Sequence, residues 1–217
     1  MTNNELRVTD KTRLVRAPDR ASYDRKLAYE IIDSTPMCHV SYIIDGEPYI
    51  TPTFQWRQGD DIYWHGSSAS RFLRNAAGAS VSLNVMLFDG LVLARSAYHS
   101  SANFRSITIF GQAIQVEGDE KLTALQRFVD RLTPGRWETL RPMNDQEIKA
   151  TTVLSMPIDE ASVKLRTGGP IDDDEDYELP IWAGVIPVAQ TVGEFVPDVK
   201  NLPNVDVPEH VRRFSLG

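Results

Sequence analysis

The chain has 217 residues, enough for one domain with a substantial core, and its 41% hydrophobic and 24% charged content is ordinary for a globular protein. A balance of 23 basic and 30 acidic residues gives a net charge of −7, which argues against nonspecific nucleic-acid binding. The single cysteine, Cys38, excludes an intramolecular disulfide and a cysteine-based zinc finger; with no leader-like N-terminus and no apolar run suited to a bilayer, the expected location is cytoplasmic and no membrane partner is expected.

Residues 1–20 are polar and rich in Arg and Asp, and read as an extended N-terminal arm. Residues 21–196 follow as one domain, and residues 197–217, with Pro197, Pro203 and Pro208, as an irregular tail. A first helix is expected over residues 22–33, where Tyr23, Leu27 and Ile31 recur every four residues and Asp19 or Ser22 is placed to cap it. Strands follow closely. Residues 38–44 meet a hairpin signal at Asp45-Gly46 and return through residues 49–57. In that return Ile50, Pro52, Phe54 and Trp56 face one way and Thr51, Thr53 and Gln55 the other. Gln58-Gly59-Asp60 reads as a tight turn into a strand over residues 61–65, with Ile62 and Trp64 opposite Tyr63 and His65, ending at Gly66.

A short helix is expected near residues 70–76, then a strand through Val81, Leu83, Val85 and Leu87 that Asp89-Gly90 turns into residues 91–95. Residues 97–104 read as a polar loop. Residues 105–116 read as a long strand interrupted at Gly111 by a bulge or a close backbone approach. Residues 120–132 form an amphipathic helix with Leu122, Leu125, Val129 and Leu132 in one stripe and Asp119 as its cap; Pro134-Gly135 stops it. A shorter helix over residues 144–150 and strands over 152–157 and 161–167 complete the pattern. The acidic run from Asp172 to Asp176 lacks EF-hand spacing and reads as a solvated loop, and no metal-site pattern is present. Cys38 reads as a small buried residue. Short antiparallel strands with a few helices give a mainly β (α+β) β-barrel.

The chemistry concentrates in Ser67-Ser68-Ala69-Ser70-Arg71, where hydroxyls, free amides and a guanidinium can hold a phosphate; the plain alternative is a helix cap beside a solvated arginine. Four motifs, one of them containing this run, have a familiar order and spacing: Cys38-His39-Val40-Ser41 with Gly46-Glu47-Pro48-Tyr49-Ile50-Thr51-Pro52; Tyr63-Trp64-His65-Gly66-Ser67 with Ser70-Arg71; His99-Ser100-Ser101-Ala102-Asn103-Phe104-Arg105-Ser106 with Phe110-Gly111; and Lys164-Leu165-Arg166-Thr167-Gly168-Gly169-Pro170 with Leu179-Pro180-Ile181-Trp182-Ala183-Gly184-Val185-Ile186-Pro187. Through them the chain, over residues 12–188, resembles the flavin-binding split-barrel family of pyridoxamine 5'-phosphate oxidase, and within it the nitroimidazole-resistance reductases.

The resemblance implies a six-stranded antiparallel split β-barrel with peripheral helices, a homodimer, and FMN between the subunits. It implies that Ser67, Ser70 and Arg71 hold the FMN phosphate, and that Thr51, Pro52, Thr53 and Phe54 lie beside the ring and ribityl chain. His65 would sit near the flavin as a hydrogen-bond or proton donor, the tentative catalytic residue; a histidine satisfied at a strand end is the alternative. Arg105 would face the edge where negative charge builds on reduction, with Asn103 and Ser106 on the ring and Arg166 and Trp182 as further walls. The Arg-x-His element of the vitamin-B6 oxidases is absent, so that activity is not expected, and no Gly-x-Gly-x-x-Gly supports a Rossmann NAD site. The expected function is an FMN-dependent oxidoreductase that acts on a small organic substrate, such as a nitro-aromatic compound, with NAD(P)H as transient donor. The alternative is a flavin- or haem-binding protein without turnover, with His65 or His99 as axial ligand.

Overall fold

The structure is a computed structural model that describes residues 4–215. In chain order the strands are β1 (Ala21–Ser22), β2 (Met37–Ile44), β3 (Glu47–Gln58), β4 (Asp61–Ser67), β5 (Ser80–Leu93), β6 (Ser101–Gln112), β7 (Ile114–Val116), β8 (Thr151–Pro157), β9 (Glu160–Arg166) and β10 (Gly184–Pro187). The helices are α1 (Arg25–Asp33), α2 (Arg71–Ala76), α3 (Gly118–Leu132), α4 (Asp145–Ala150) and α5 (Glu209–Arg212). All strand pairs are antiparallel, in the order β1-β9-β6-β5-β2-β3-β4-β8-β7 with β10 added to β5. This is the expected split barrel, but among the described residues it has seven longer strands (β2–β6, β8 and β9) in place of the expected six, supplemented by the short β1, β7 and β10. The split is visible in β5. One edge of β5 pairs with β6 throughout; the other pairs with β2 through Ser82–Asn84 and with β10 through Gly90–Leu93.

Local chemistry explains the boundaries. Asp45 and Gly46 both have positive φ, 52° and 84°, the conformation a two-residue hairpin turn requires. Asp24, rather than Asp19 or Ser22, caps α1 by accepting the Leu27 amide at 2.8 Å; Ser22 is taken into β1 instead. Asn144 and Glu147 form a reciprocal capping box on α4. Helix α3 starts at Gly118 without a side-chain cap, so Asp119 lies in its first turn and does not cap it. Leu122 of its expected stripe is exposed, and Ala124, Leu125 and Phe128 face the protein.

The remaining corrections have one cause: strand pairing overrides local turn signals. Asp89-Gly90 is a bulge inside the continuous β5, because β6 pairs on both sides of it. For the same reason β6 begins at Ser101, within the stretch read as loop, and β4 runs past Gly66 to Ser67 opposite Thr151. The β6–β7 break falls at Ala113, whose amide bonds Ala79. Gly111 is instead a close approach: a Cβ there would stand 2.8 Å from the Met156 sulfur. From residue 4 to residue 17 the N-terminal segment is irregular yet anchored, since Leu6 is buried and its amide donates to the Tyr23 carbonyl; a 3-10 turn at Pro18–Arg20 then leads into β1.

Two cores result. The larger is built from inward residues of the barrel, including Val40, Trp64, Leu83, Ile107, Leu154 and Val163, with Ile31 and Ile32 of α1 closing it. Gln55 fastens α1 there by donating to the Ile32 and Thr35 carbonyls at 2.7 and 2.6 Å, satisfying acceptors at the helix end. The smaller core lies on the opposite face of β3–β4, where Trp56, Tyr63 and Val153 meet Ala124, Leu125 and Phe128 of α3. Cys38 is fully buried in the larger core, and burial pushes its thiol up to about 12, so it is inert packing.

Candidate functional site

The β4–α2 junction gathers polar groups by a simple route. The Ser67 carbonyl accepts the Ser70 amide at 2.9 Å and the Ser67 hydroxyl accepts the Ala69 amide at 3.2 Å, which turns the chain into α2. Ser70 occupies the cap position, but its side chain makes no cap bond, so its hydroxyl is available to another partner. Arg71 is exposed, and among the described residues no carboxylate pairs with it. Its guanidinium lies 5.1 Å from the Tyr49 ring centre and 3.4 Å from the Tyr49 hydroxyl. Tyr49 stacks on Tyr42 at 5.7 Å, and Tyr42 packs on Phe72 at 4.9 Å, so the cation rests on an aromatic shelf. Thr51 lies beside it, its hydroxyl 3.0 Å from the Tyr42 hydroxyl, and the Thr53 hydroxyl reaches the His65 carbonyl at 3.5 Å.

The pleat of β3 separates the expected contacts. Thr51 and Thr53 share the side of Cys38 and Val40, their partners on β2, while Pro52 and Phe54 share the outer face with His39 and Met37. One flat ligand surface therefore cannot touch all four side chains. His65 lies with Phe54 rather than with the threonines. Its ring is 4.2 Å from Phe128 and 5.8 Å from Trp56, centre to centre, beside the α3 core. Burial lowers its pKa, which favours the neutral imidazole, and among the described residues the buried Nδ1 has no hydrogen-bond partner. A cavity of about 570 Å³ lies among Leu140, Arg141, Met143, Ala150 and Thr151, and Met143 packs on the same core as Phe128.

The other expected residues stand elsewhere in the protomer. Arg105 is held in a bidentate pair with Asp89 at 2.9 and 2.7 Å, which raises its pKa and neutralises its charge. The pair lines a cavity of about 540 Å³ with Met86, Phe88 and Gln190. Arg166 is 8% exposed; it donates to Asn103 and to the Gly168 and Gly169 carbonyls, and burial, with Arg20 nearby, lowers its pKa. Asn103 donates to the Gly168 carbonyl at 3.0 Å and Ser106 to the Lys164 carbonyl at 3.1 Å. These three side chains bond the chain's own backbone. Trp182 is 67% exposed and lies over Gly184, where a Cβ would meet its ring at 2.9 Å. His99 is 3.3 Å from an Asp173 oxygen. Asp172, read as solvated, is buried and accepts from the Arg95 guanidinium at 2.9 Å and its amide at 3.0 Å. No cluster of metal-ligating side chains occurs among the described residues.

Tyr49, Phe128 and Asp89 were not picked out from the sequence as site residues. Tyr49 had a legible signal: it shares a face with Thr51 two residues on. Phe128 and Asp89 had none, because their partners lie in other elements.

The comparisons agree with this architecture. The flavocytochrome Anf3 from Azotobacter vinelandii is 48% identical, with a TM-score of 0.93 over 96% of this chain and 98% of that one. The FAD- and haem-binding protein from Mycobacterium smegmatis is 35% identical, with a TM-score of 0.86 over 89% of this chain and 96% of that one. A protein of the 5-nitroimidazole antibiotic resistance type from Bacteroides thetaiotaomicron, at 20% identity and a TM-score of 0.55 over 66% of this chain and 85% of that one, is a likeness of fold alone. No curated protein matches. The pyridoxamine 5'-phosphate oxidase family profile matches residues 24–165, and the chain belongs to that family.

Proposed function

We propose that the chain is a homodimeric redox protein that binds a flavin by its phosphate at Ser67, Ser70 and Arg71. The observation that carries this is Arg71, a guanidinium with no carboxylate partner among the described residues, resting on Tyr49 beside a Ser70 hydroxyl that makes no cap bond. FAD is favoured over FMN, because the Mycobacterium smegmatis relative at 35% identity binds FAD. Thr51 and Thr53 would line the approach to the phosphate. The dimer would form on the open sheet face, where Met37, Ile50, Phe54, Met86 and Phe88 are exposed together.

A second group, haem, is supported by His65. An imidazole whose burial favours the neutral form, with a buried nitrogen unpartnered among the described residues and packed between Trp56 and Phe128, has the character of an axial ligand. Both close relatives are named as haem or cytochrome proteins. His99 is less suited, being engaged with Asp173. Bound together, flavin supplies hydride or two-electron chemistry and haem iron one-electron chemistry. The chain's part would be to anchor the phosphate, exclude water with the α3 aromatics and keep His65 deprotonated. A small organic acceptor, with NADH or NADPH as donor, remains the reaction class.

The test is the purified protein's absorption, with chromatography of the released flavin. The proposal expects FAD, a Soret band, and bleaching of the flavin by NADH or NADPH. A colourless protein that takes up neither added flavin nor haem would sink it.

A further inference from the structure

The span from Gln190 to Arg212 leaves and re-enters the protein at one corner. At its start, the Val188 amide bonds the Asp89 carbonyl at 3.1 Å, and Val188, Ala189 and Gln190 line a cavity with Ser34 and Thr35. At its end, Arg213, Phe214 and Ser215 line another with Asp33 and Arg57. Between these feet the chain is a strap: among the described residues, the hydrogen bonds of 190–208 are all to itself or its close neighbours in sequence. A loop of this length can project roughly 30 Å and still return.

The strap carries Val192, Phe195, Val196, Val199, Leu202 and Val205, all exposed, with Val196 at 92% and Val199 at 97%. Six apolar side chains on a projecting strap, stiffened by Pro197 and Pro203, are out of keeping with a solvated linker, which would be polar. The same chain has a second uncovered apolar surface, the outer face of β3, β2 and β5. On that face a cavity of about 480 Å³ lies among Ser41, Ile43, Ile50, Ser82 and Phe110, open to solvent on one side.

We infer that the strap crosses to a second copy and lays its apolar side chains on the end of that copy's outer sheet face around Ile43 and Phe110, beside the Met37, Phe54, Met86 and Phe88 contact, closing the cavity that a single protomer leaves open. Both surfaces belong to one chain, so a two-fold axis satisfies two straps and two faces at once. The strap's first foot stands on the rim of the same face, beside Met86 and Phe88, so the contact continues the dimer surface. The inference rests on the homodimer of the preceding section but not on any cofactor.

The test uses the full chain with a benzophenone amino acid at Val199, in an equal mixture of natural-abundance and 15N-labelled protein, with light scattering for mass. The expected result is a dimer whose irradiation gives mixed-isotope adducts mapping to Met37–Ile44, Glu47–Gln58 or Ser80–Leu93. A monomeric parent overturns the homodimer and the strap together. A dimer that cross-links only within one chain, or to another surface, or not at all, overturns the strap alone. A Phe195→Asp/Val199→Asp variant checks the energetics, with circular dichroism confirming the fold. It is expected to weaken dimerisation at least ~10-fold, and unchanged dimerisation would refute the contact.

Discussion

Arg71→Ala isolates the proposed phosphate contact, because the side chain has little else to lose. Within the protein it makes one contact of 3.4 Å to the Tyr49 hydroxyl, at the limit of a hydrogen bond, and a ring contact at 5.1 Å. An exposed cation–ring contact of this kind is worth about 0.5–1 kcal/mol, so the melting temperature is expected to fall by no more than ~4 °C. A hydrogen bond to a charged group contributes about 1.5–3 kcal/mol, and each ~1.4 kcal/mol is tenfold in affinity. FAD affinity is therefore expected to fall by about 10- to 150-fold, with Arg71→Lys intermediate because it keeps the charge but not the planar fork. The assay is titration of apoprotein by flavin fluorescence, using FAD and riboflavin in parallel. Riboflavin has no phosphate, so both proteins should bind it alike. Undiminished FAD binding, or an equal loss for riboflavin, would refute the assignment.

Three further outcomes follow from the geometry. His65→Ala is expected to abolish the Soret band while leaving flavin content intact; in the haem-free parent, the imidazole should titrate below the ordinary histidine value by NMR. Retained haem in the variant would remove His65 from the ligand set. Gly90 has φ of 155°, and a Cβ there would lie 2.6 Å from the Ile186 carbonyl oxygen, so Gly90→Ala must part β10 from β5. Overpacking against backbone costs about 1–3 kcal/mol; denaturant melts should report that loss, and unchanged stability would contradict the close approach. Glu147 is held down to about 2 by the Arg141 guanidinium and by the Asn144 amide of its capping box. Because this folded value lies below the unfolded value of ~4.3, its stabilisation is present above that value and is lost as pH falls towards 2. Glu147→Gln should flatten that part of the acid-stability profile, and an identical profile would count against the pair.

Alternation carried much of the fold. The faces of β3 and β4 were legible because apolar and polar residues alternate cleanly there, and Asp45-Gly46 is a turn whose φ values leave few alternatives. Asp89-Gly90 misled because the same residues suit a turn and a bulge; only pairing with β6 decides between them. Within the candidate site, Ser70 and Arg71 were legible as a local run. Arg105 was not, because Asp89, sixteen residues away, neutralises it. Arg166 and Asn103 looked like ligand contacts for a related reason: a buried donor set has one composition whether it serves a ligand or the chain's own carbonyls. Asp172 hid in an acidic run, and its burial depends on Arg95 in another part of the chain.

The β3–β4 hairpin is a party wall. Trp64 and Ile62 belong to the barrel interior, and Tyr63 between them, with its β3 partner Trp56, belongs to the space beneath α3. Neither side can be dismantled without exposing the back of the other. The α3 region, which on connectivity alone could be an appendage, should melt with the barrel in one step. Each side carries its own fully buried indole, so loosening on either side would register in tryptophan emission.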